Sequence, residues 1–247
     1  MSEFPAMRWI PLLLLALLPA DAFEIPSNSK QLVVGVAPEW NSSHVTVSFY
    51  EREGRAWKQT AGPWKGRLGK KGLAWGRGLH PVPSGATMKR EGDWRAPAGV
   101  FRIGGVWSYH PPATVRRHPG TFYRQITTRD LWYEDPASPY YNQHRVLDYE
   151  PRSTSEKKAQ MKQNDYPHSL KLFIAHNAPP RAQPGGGSSI FFHIWRDGGA
   201  KPTAGCTTLP ENGLRELIAR IDPGKNPVYV LLPKAEYDRL RKSWKLP

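Results

Sequence analysis

The chain has 247 residues, a net charge of +14 and a hydrophobic fraction of 39%, and its length favours one large domain or two small ones. That fraction supplies a core, so the composition excludes wholesale disorder and the collagen-like, coiled-coil and multi-span membrane classes. With 22 glycines and 25 prolines, the chain favours short strands joined by turns over long helices. The positive charge indicates an anionic partner, which the charge alone does not identify.

The first 22 residues are organised like a secretory signal peptide. Arg8 precedes the uncharged run at residues 10–18, and a small-residue cleavage pattern follows at residues 20–22. The apolar run is too short to span a bilayer, although an uncleaved membrane anchor is the alternative. We therefore expect residues 1–22 to be removed on export, leaving no stable membrane span. The mature protein is then expected in the periplasm or cell wall, which argues against nucleic acid as the anionic partner.

The remainder, from about residue 30 to 245, is predicted to form one mainly β domain without internal repeats. The glycine- and tryptophan-rich part at residues 62–105 predicts turns and short strands, and the aromatic part at residues 122–149 predicts a structured loop. Strands are predicted at residues 31–36, 45–50, 100–103, 170–175, 189–194 and 228–232. Three helices are predicted, the first at residues 152–165 and the last at residues 235–242. The second follows Pro210 and is indicated by the helical spacing of Leu214, Leu217, Ile218 and Ile221.

One histidine and the single cysteine form the main candidate site. His193 lies in a predicted strand, and Cys206 follows thirteen residues later, after a loop that contains glycine and proline. A thiolate is a nucleophile, and a histidine within hydrogen-bond reach takes the thiol proton and later returns it to a leaving amine. Gly205 allows close approach of a substrate, and the N–H groups of Gly205, Cys206 and Thr207 are predicted to form an oxyanion hole just before a helix. An inert buried thiol is the alternative that these residues leave open.

This segment resembles the catalytic signature of the L,D-transpeptidase (YkuD-like) family, in which a strand histidine precedes a Ser/Thr-x-Gly-Cys turn. The turn is present here at residues 203–206, after His193. The resemblance extends to a P-x-G-x-F segment at residues 97–101 and to AWGRGLH and DPASPYYNQ, which are similar to segments of a secreted, single-domain branch. It covers about residues 31–233. Two positions depart from the family pattern: Thr208 replaces a common arginine and Ala204 replaces the usual histidine, so substrate anchoring is not carried over.

The resemblance implies a mainly β fold, a sandwich or distorted barrel with a helix after the catalytic cysteine. It also implies a peptidoglycan L,D-transpeptidase, a transferase of cell wall biogenesis that needs no cofactor and no metal. Cys206 would form a thioester with a stem peptide and expel the terminal D-Ala, while His193 moves the protons. An amine of a neighbouring stem or of an attached protein would then resolve the thioester, giving a 3→3 cross-link in the first case.

Three alternative functions and a second set of residues accompany this prediction. The alternatives are an L,D-carboxypeptidase or other hydrolase using the same cysteine, a sortase-like protein transpeptidase and a non-catalytic cell-wall-binding module. The chain carries no signal for an oligomeric state. His176 is the competing base and a possible substrate-groove residue. The other predicted groove residues, which would otherwise form a local hydrophobic cluster under a long loop, are Trp132, Tyr133, Tyr140 and Tyr141.

Overall fold

The computed structural model describes residues 23–247, so the predicted signal peptide lies outside the described residues. In chain order the strands are β1 Gln31–Ala37, β2 His44–Glu53, β3 Ala56–Arg67, β4 Leu73–Trp75, β5 Ala96–Ser108, β6 Tyr123–Gln125, β7 Asp130–Trp132, β8 His144–Val146, β9 Leu170–Ile174, β10 Phe191–Ile194, β11 Thr207–Leu209 and β12 Val228–Pro233. The α-helices are α1 Thr154–Ala159, α2 Glu211–Arg220 and α3 Lys234–Leu240. No helix within residues 23–247 is long and apolar enough to cross a membrane.

The main sheet closes into a barrel in the order β12, β1, β2, β3, β11, β10, β9 and β5, because β5 also pairs with β12. The first part of β5, at residues 99–102, pairs with β12, and the later part, at residues 103–108, pairs with β9. The register shifts between Ile103 and Val106, where Gly104 and Gly105 lie against aromatic rings. Such a bulge bends a strand and lets it change partners. The mainly β, barrel-like fold with a helix after Cys206 is therefore confirmed.

Side chains alternate between the inside and the outside of this barrel. Along β9, Leu170, Leu172 and Ile174 are buried in the main core, whereas Lys171 and Phe173 face the other way. The helix α2 adds Leu214, Leu217 and Ile218 to the same core. On the outer face, a satellite cluster packs under the segment 122–165 and contains Trp107, Ile126, Trp132, Met161 and Phe191.

Most predicted elements are present, and the differences come from tertiary pairing. The glycine-rich region at residues 62–105 contains the end of β3 and the start of β5, both of which are longer than the short strands expected. The aromatic loop contains β6, β7 and β8. The predicted exposed helix is present as α1, which begins with a capping box between Ser153 and Glu156.

Candidate active site

Cys206 and His193 lie on one face of two neighbouring strands. The strands β10 and β11 are parallel, with Phe192 opposite Thr207. The ring of Phe192 packs against that of Tyr229 in a tilted arrangement, and the Thr207 hydroxyl lies 3.2 Å from the hydroxyl of that tyrosine, so the side chains of Phe192 and Thr207 point into the barrel. Because neighbouring positions alternate, Cys206 and His193 belong to the outer face. Cys206 itself lies directly before β11, a strand that the sequence did not predict, and the pairing of β10 with β11 places it on the same face as His193.

A cavity of about 280 Å³ contains Cys206 at its wall. Charged and titratable side chains reach it from several segments of the chain: a loop after β4, the aromatic segment, and the start of β9. Among the residues that line it are Lys89, Glu91, Glu134, His168, Lys171, Ser189, Ala204, Gly205 and Cys206. No group of three or more His, Cys, Asp or Glu side chains able to hold a metal ion converges within residues 23–247.

The Cys206 thiol is half-buried and donates a weak hydrogen bond to the Ser189 carbonyl oxygen, with Sγ and O 3.4 Å apart. Burial raises the pKa of this thiol to about 11, and the nearby Glu134 charge acts in the same direction. The Phe191 N–H and the ammonium of Lys171 favour the thiolate and limit this rise. The thiol is therefore protonated at neutral pH and must lose its proton when it reacts.

His193 is held in one neutral tautomer. Its side chain is 3% exposed, and its Nδ1 lies 2.8 Å from the Ile194 carbonyl oxygen. A carbonyl oxygen only accepts, so Nδ1 carries the proton and Nε2 is left as an acceptor. Burial lowers the pKa of His193 well below its ordinary value, and the charges of neighbouring His168 and Lys171 add to this. The imidazole is thus in the form that can accept a proton.

Sequence reasoning missed a second histidine at this site. The ring of His168 lies 4.4 Å from the ring of His193, centroid to centroid, and His168 lines the Cys206 cavity, whereas His193 is not among its lining residues. His168 Nδ1 is 2.7 Å from Asp165 Oδ2, and Asp165 also pairs with Arg196. Burial lowers the pKa of His168 to about 4. The short proline-containing turn before β9 carries no recognisable motif, and only the pairing of β9 with β10 brings it here.

Lys171 was also missed, although the sequence contained a signal. It is the only charged residue in the apolar run LKLFI, and a strand that buries both of its faces rarely contains an ionised side chain. In the structure Lys171 is 4% exposed and lines the cavity that holds Cys206.

The predicted oxyanion hole needs one correction. The helix α2 begins at Glu211, and the strand β11 separates it from Cys206, so the N–H groups at the nucleophile do not lie directly at a helix N-terminus. The Gly205 N–H already donates to Thr203 Oγ1 at 3.0 Å. An oxyanion hole at Gly205, Cys206 and Thr207 stays a prediction, and Gly205 would have to exchange its acceptor for a substrate oxygen. Packing also requires Gly205, because a Cβ there would lie 2.9 Å from the Arg95 carbonyl oxygen.

The five predicted groove residues do not line the Cys206 cavity. His176 is completely buried: its Nδ1 accepts from the Arg77 N–H at 3.1 Å, and its Nε2 lies 3.0 Å from the Gly186 carbonyl oxygen. Both ring nitrogens therefore serve the fold, which removes His176 as a competing base.

The aromatic residues serve the fold in a similar way. Trp132 lies in the satellite cluster, with Nε1 2.9 Å from Asn142 Oδ1, as the local-cluster alternative expected. The rings of Tyr133 and Tyr140 pack against each other at a tilt, with centroids 5.6 Å apart, and neither residue lines the cavity. The Tyr141 hydroxyl donates to Glu91, so Tyr141 acts on the cavity only through that lining residue.

The position that carries arginine in many relatives is used for packing. Thr208 is buried, and its hydroxyl lies 3.4 Å from the Arg67 carbonyl oxygen on the neighbouring strand β3. Arg196, a basic residue in the loop between β10 and β11, is paired with Asp165.

Comparison with known proteins identifies the family. The sequence model of the L,D-transpeptidase (YkuD) catalytic domain matches residues 43–230, which is more than half of the chain. A search of curated proteins gives no match. Two solved structures are similar, those of the helical cell shape determining protein Pgp2 from Campylobacter jejuni and of a point mutant of it, each at 15% identity. The TM-scores are 0.36 for Pgp2 and 0.39 for the mutant. The matches cover 83% and 87% of this chain but only 48% and 51% of the Pgp2 chains, so this chain spans about half the length of those proteins. By the match of its catalytic domain, the chain belongs to the L,D-transpeptidase catalytic domain family.

Proposed function

We propose that this chain is a peptidoglycan L,D-transpeptidase that acts by cysteine acyl transfer on stem peptides. The observation that carries the proposal is the cavity at Cys206, where a protonated thiol lies on the same outer face as the neutral imidazole of His193. The substrate class comes from the family, whose members modify peptidoglycan peptides.

The reaction follows from the protonation states. As a stem-peptide carbonyl carbon binds beside Sγ, the thiol proton passes to His193 Nε2 and the sulfur attacks that carbon. The tetrahedral intermediate collapses when the imidazolium returns the proton to the amide nitrogen, which releases D-Ala and leaves a thioester on Cys206. The amine of a second stem peptide, or of an attached protein, then attacks the thioester and forms a new amide as the carbon–sulfur bond breaks. His193 Nε2 takes the amine proton and passes it to the departing sulfur, which restores the Cys206 thiol. Because the thiol and the imidazole are both neutral at rest, proton transfer accompanies attack.

Export to the cell envelope belongs to the same proposal. It rests on residues 1–22, and the net charge of +14 suits an anionic wall polymer, an attraction that salt weakens. Sequencing the N-terminus of protein isolated from its native host tests it. A start near Phe23 is the expected result, and an intact start on exported protein would contradict cleavage.

Turnover of purified muropeptides, followed by mass spectrometry, tests the activity. The wild type should give cross-linked dimers, whereas trimmed monomers alone would identify a hydrolase at the same cysteine. Cys206→Ser should fold normally and lose turnover, because a hydroxyl is far less acidic than a thiol. His193→Ala should lower the rate about 10²–10⁴-fold. Near wild-type turnover by Cys206→Ser would show that the cysteine mechanism is wrong.

A further inference from the structure

We propose that Lys171 is the residue that selects donor stems by binding the free carboxylate of the terminal D-Ala, next to the bond that is cleaved. The inference rests on the proposed function and assigns a specificity-determining residue within that site. It starts from a buried ammonium in the wall of the reaction cavity.

Lys171 has more hydrogen-bond donors than described partners. Its Nζ donates to the Met161 carbonyl oxygen at 2.9 Å and lies 6.0 Å from the centroid of the Phe191 ring. An ammonium carries three N–H donors, and within residues 23–247 no carboxylate forms an ion pair with this one. The charges of Glu134 and Asp165 favour the ammonium, but neither carboxylate pairs with it directly. Burying a cation without a directly bound anion costs free energy, so a side chain that faces a cavity in this state is suited to an anionic ligand.

The position of Lys171 in the sheet fits the carboxylate of the leaving residue. Lys171 is the register partner of His193 across β9 and β10, and it lines the same cavity as Cys206. In a donor stem the attacked carbonyl belongs to the third residue, and the free carboxylate belongs to the next residue, about 3.8 Å further along the backbone. A group that is close to both the nucleophile and its base is therefore at the correct range for that carboxylate.

The other lysine of the cavity does not compete for this role. Lys89 is 3% exposed, but its ammonium is paired with Asp93 and also donates to the Arg90 carbonyl oxygen at 2.7 Å. Lys89 thus matches Lys171 in residue type, burial and location, and differs in having an anionic partner. It provides a matched control.

The test compares two synthetic tetrapeptide stems that end in D-alanine or in D-alaninamide and so differ by one negative charge. Binding is measured by calorimetry in a Cys206→Ala background, so that turnover is not required. We expect the acid to bind about tenfold more tightly than the amide, as a charge-assisted hydrogen bond supplies. Adding Lys171→Met should reduce this preference to about onefold, whereas adding Lys89→Met should leave it in place. The neutral donor of Lys171→Gln provides a second variant in case the methionine variant fails to fold.

The outcomes separate this role from a purely structural role of Lys171 and from stabilisation of the Cys206 thiolate. If the acid-to-amide ratio survives in the folded Lys171 variants, or is absent before Lys171 is changed, the proposal is wrong. A shift in the pH profile of Cys206 alkylation together with an unchanged ratio would assign Lys171 to thiolate stabilisation and overturn the proposal. Failure of the wild type to turn over muropeptides would contradict the proposed function, while the binding ratio would still decide the role of Lys171.

Discussion

Asn142 connects the aromatic segment to the strand that leads to the active site, and its replacement should be costly. Its side chain is 1% exposed and makes four hydrogen bonds. Its Nδ2 donates to the carbonyl oxygens of His176 at 3.1 Å and Asn177 at 2.8 Å. Its Oδ1 accepts from Trp132 Nε1 at 2.9 Å and from the Ser189 N–H at 3.0 Å. This last bond matters for the candidate site, because the Ser189 carbonyl oxygen accepts the hydrogen bond from the Cys206 thiol.

Asn142→Asp keeps the shape and both acceptor contacts but removes both donors. The two carbonyl oxygens are then unpaired and face an acceptor, and each buried unsatisfied group costs about 1–3 kcal/mol. Because neighbouring effects are not additive, we expect a loss of about 2–5 kcal/mol in the free energy of unfolding at neutral pH. For a chain of this size the melting temperature should fall by about 5–15 °C.

The pH dependence gives the sharper test. The new carboxyl should have a raised pKa in the folded state, because burial and two carbonyl oxygens disfavour its charge. The loss should therefore be small below the unfolded pKa of about 4 and should grow as the pH rises towards the folded pKa. Urea unfolding of both proteins at about pH 4.5 and about pH 7.5 measures this difference. A loss below about 1 kcal/mol at the higher pH, or an equal loss at both, would refute the reasoning.

Three further outcomes follow from the structure. Iodoacetamide alkylation of native Cys206 should keep accelerating towards pH 11, in line with a thiol pKa of about 11, and an inflection near the ordinary value of about 8.5 would contradict this. Gly99→Ala should lower the free energy of unfolding by about 3 kcal/mol or more, since the φ of Gly99 is +131° and a Cβ would lie 1.9 Å from the His80 ring; unchanged urea unfolding would refute it. Burial raises the pKa of Asp130, but hydrogen bonds from His144, Arg124 and Thr127 outweigh this effect and lower the pKa overall. The ion pair of Asp130 with Arg124 should therefore stabilise the fold above the unfolded pKa of about 4, and this stabilisation should be lost as the pH falls. Asp130→Asn should be less stable at neutral pH and lack this acid dependence, and an unchanged acid profile would argue against it.

Apolar patterning was sufficient to predict β10, which contains His193, but not β11, which follows Cys206. Continuous apolar runs indicated β9, β10 and β12, and the helical spacing of Leu214, Leu217 and Ile218 indicated α2. The strand histidine and the glycine–cysteine turn, together with the family resemblance, indicated His193 and Cys206 as the catalytic pair, and this stays a prediction. All of these features are local in sequence. The apolar runs and the helical spacing were predictable because they follow directly from which side chains are buried.

Non-local features could not be predicted in this way. Barrel closure depends on one strand, β5, that changes partners at Gly104 and Gly105, and a run of glycines in the sequence indicates only a turn or a bulge. The aromatic segment contained enough rings for a substrate groove, but hydrogen bonds such as that from Trp132 to Asn142 turn its rings towards the satellite cluster. His168 lies at the site because β9 pairs with β10, and the residues around His168 in the sequence do not indicate this pairing.

The sequence segments that carry the family resemblance divide into two kinds when their contacts are followed. His80, from AWGRGLH, accepts a hydrogen bond from the Val100 N–H at 2.9 Å, and its ring fills the space that a Cβ on Gly99 would need. The same ring meets Phe101 edge-to-face at 5.7 Å. The P-x-G-x-F segment and AWGRGLH thus pack against each other in the core and stabilise the fold. The strand histidine and the glycine–cysteine turn instead contain the residues proposed to carry out the reaction. The proposed selection of donor stems requires a residue outside these motifs. Lys171 meets that requirement, because it is a buried cation with donors to spare in the wall of the cavity that holds the nucleophile.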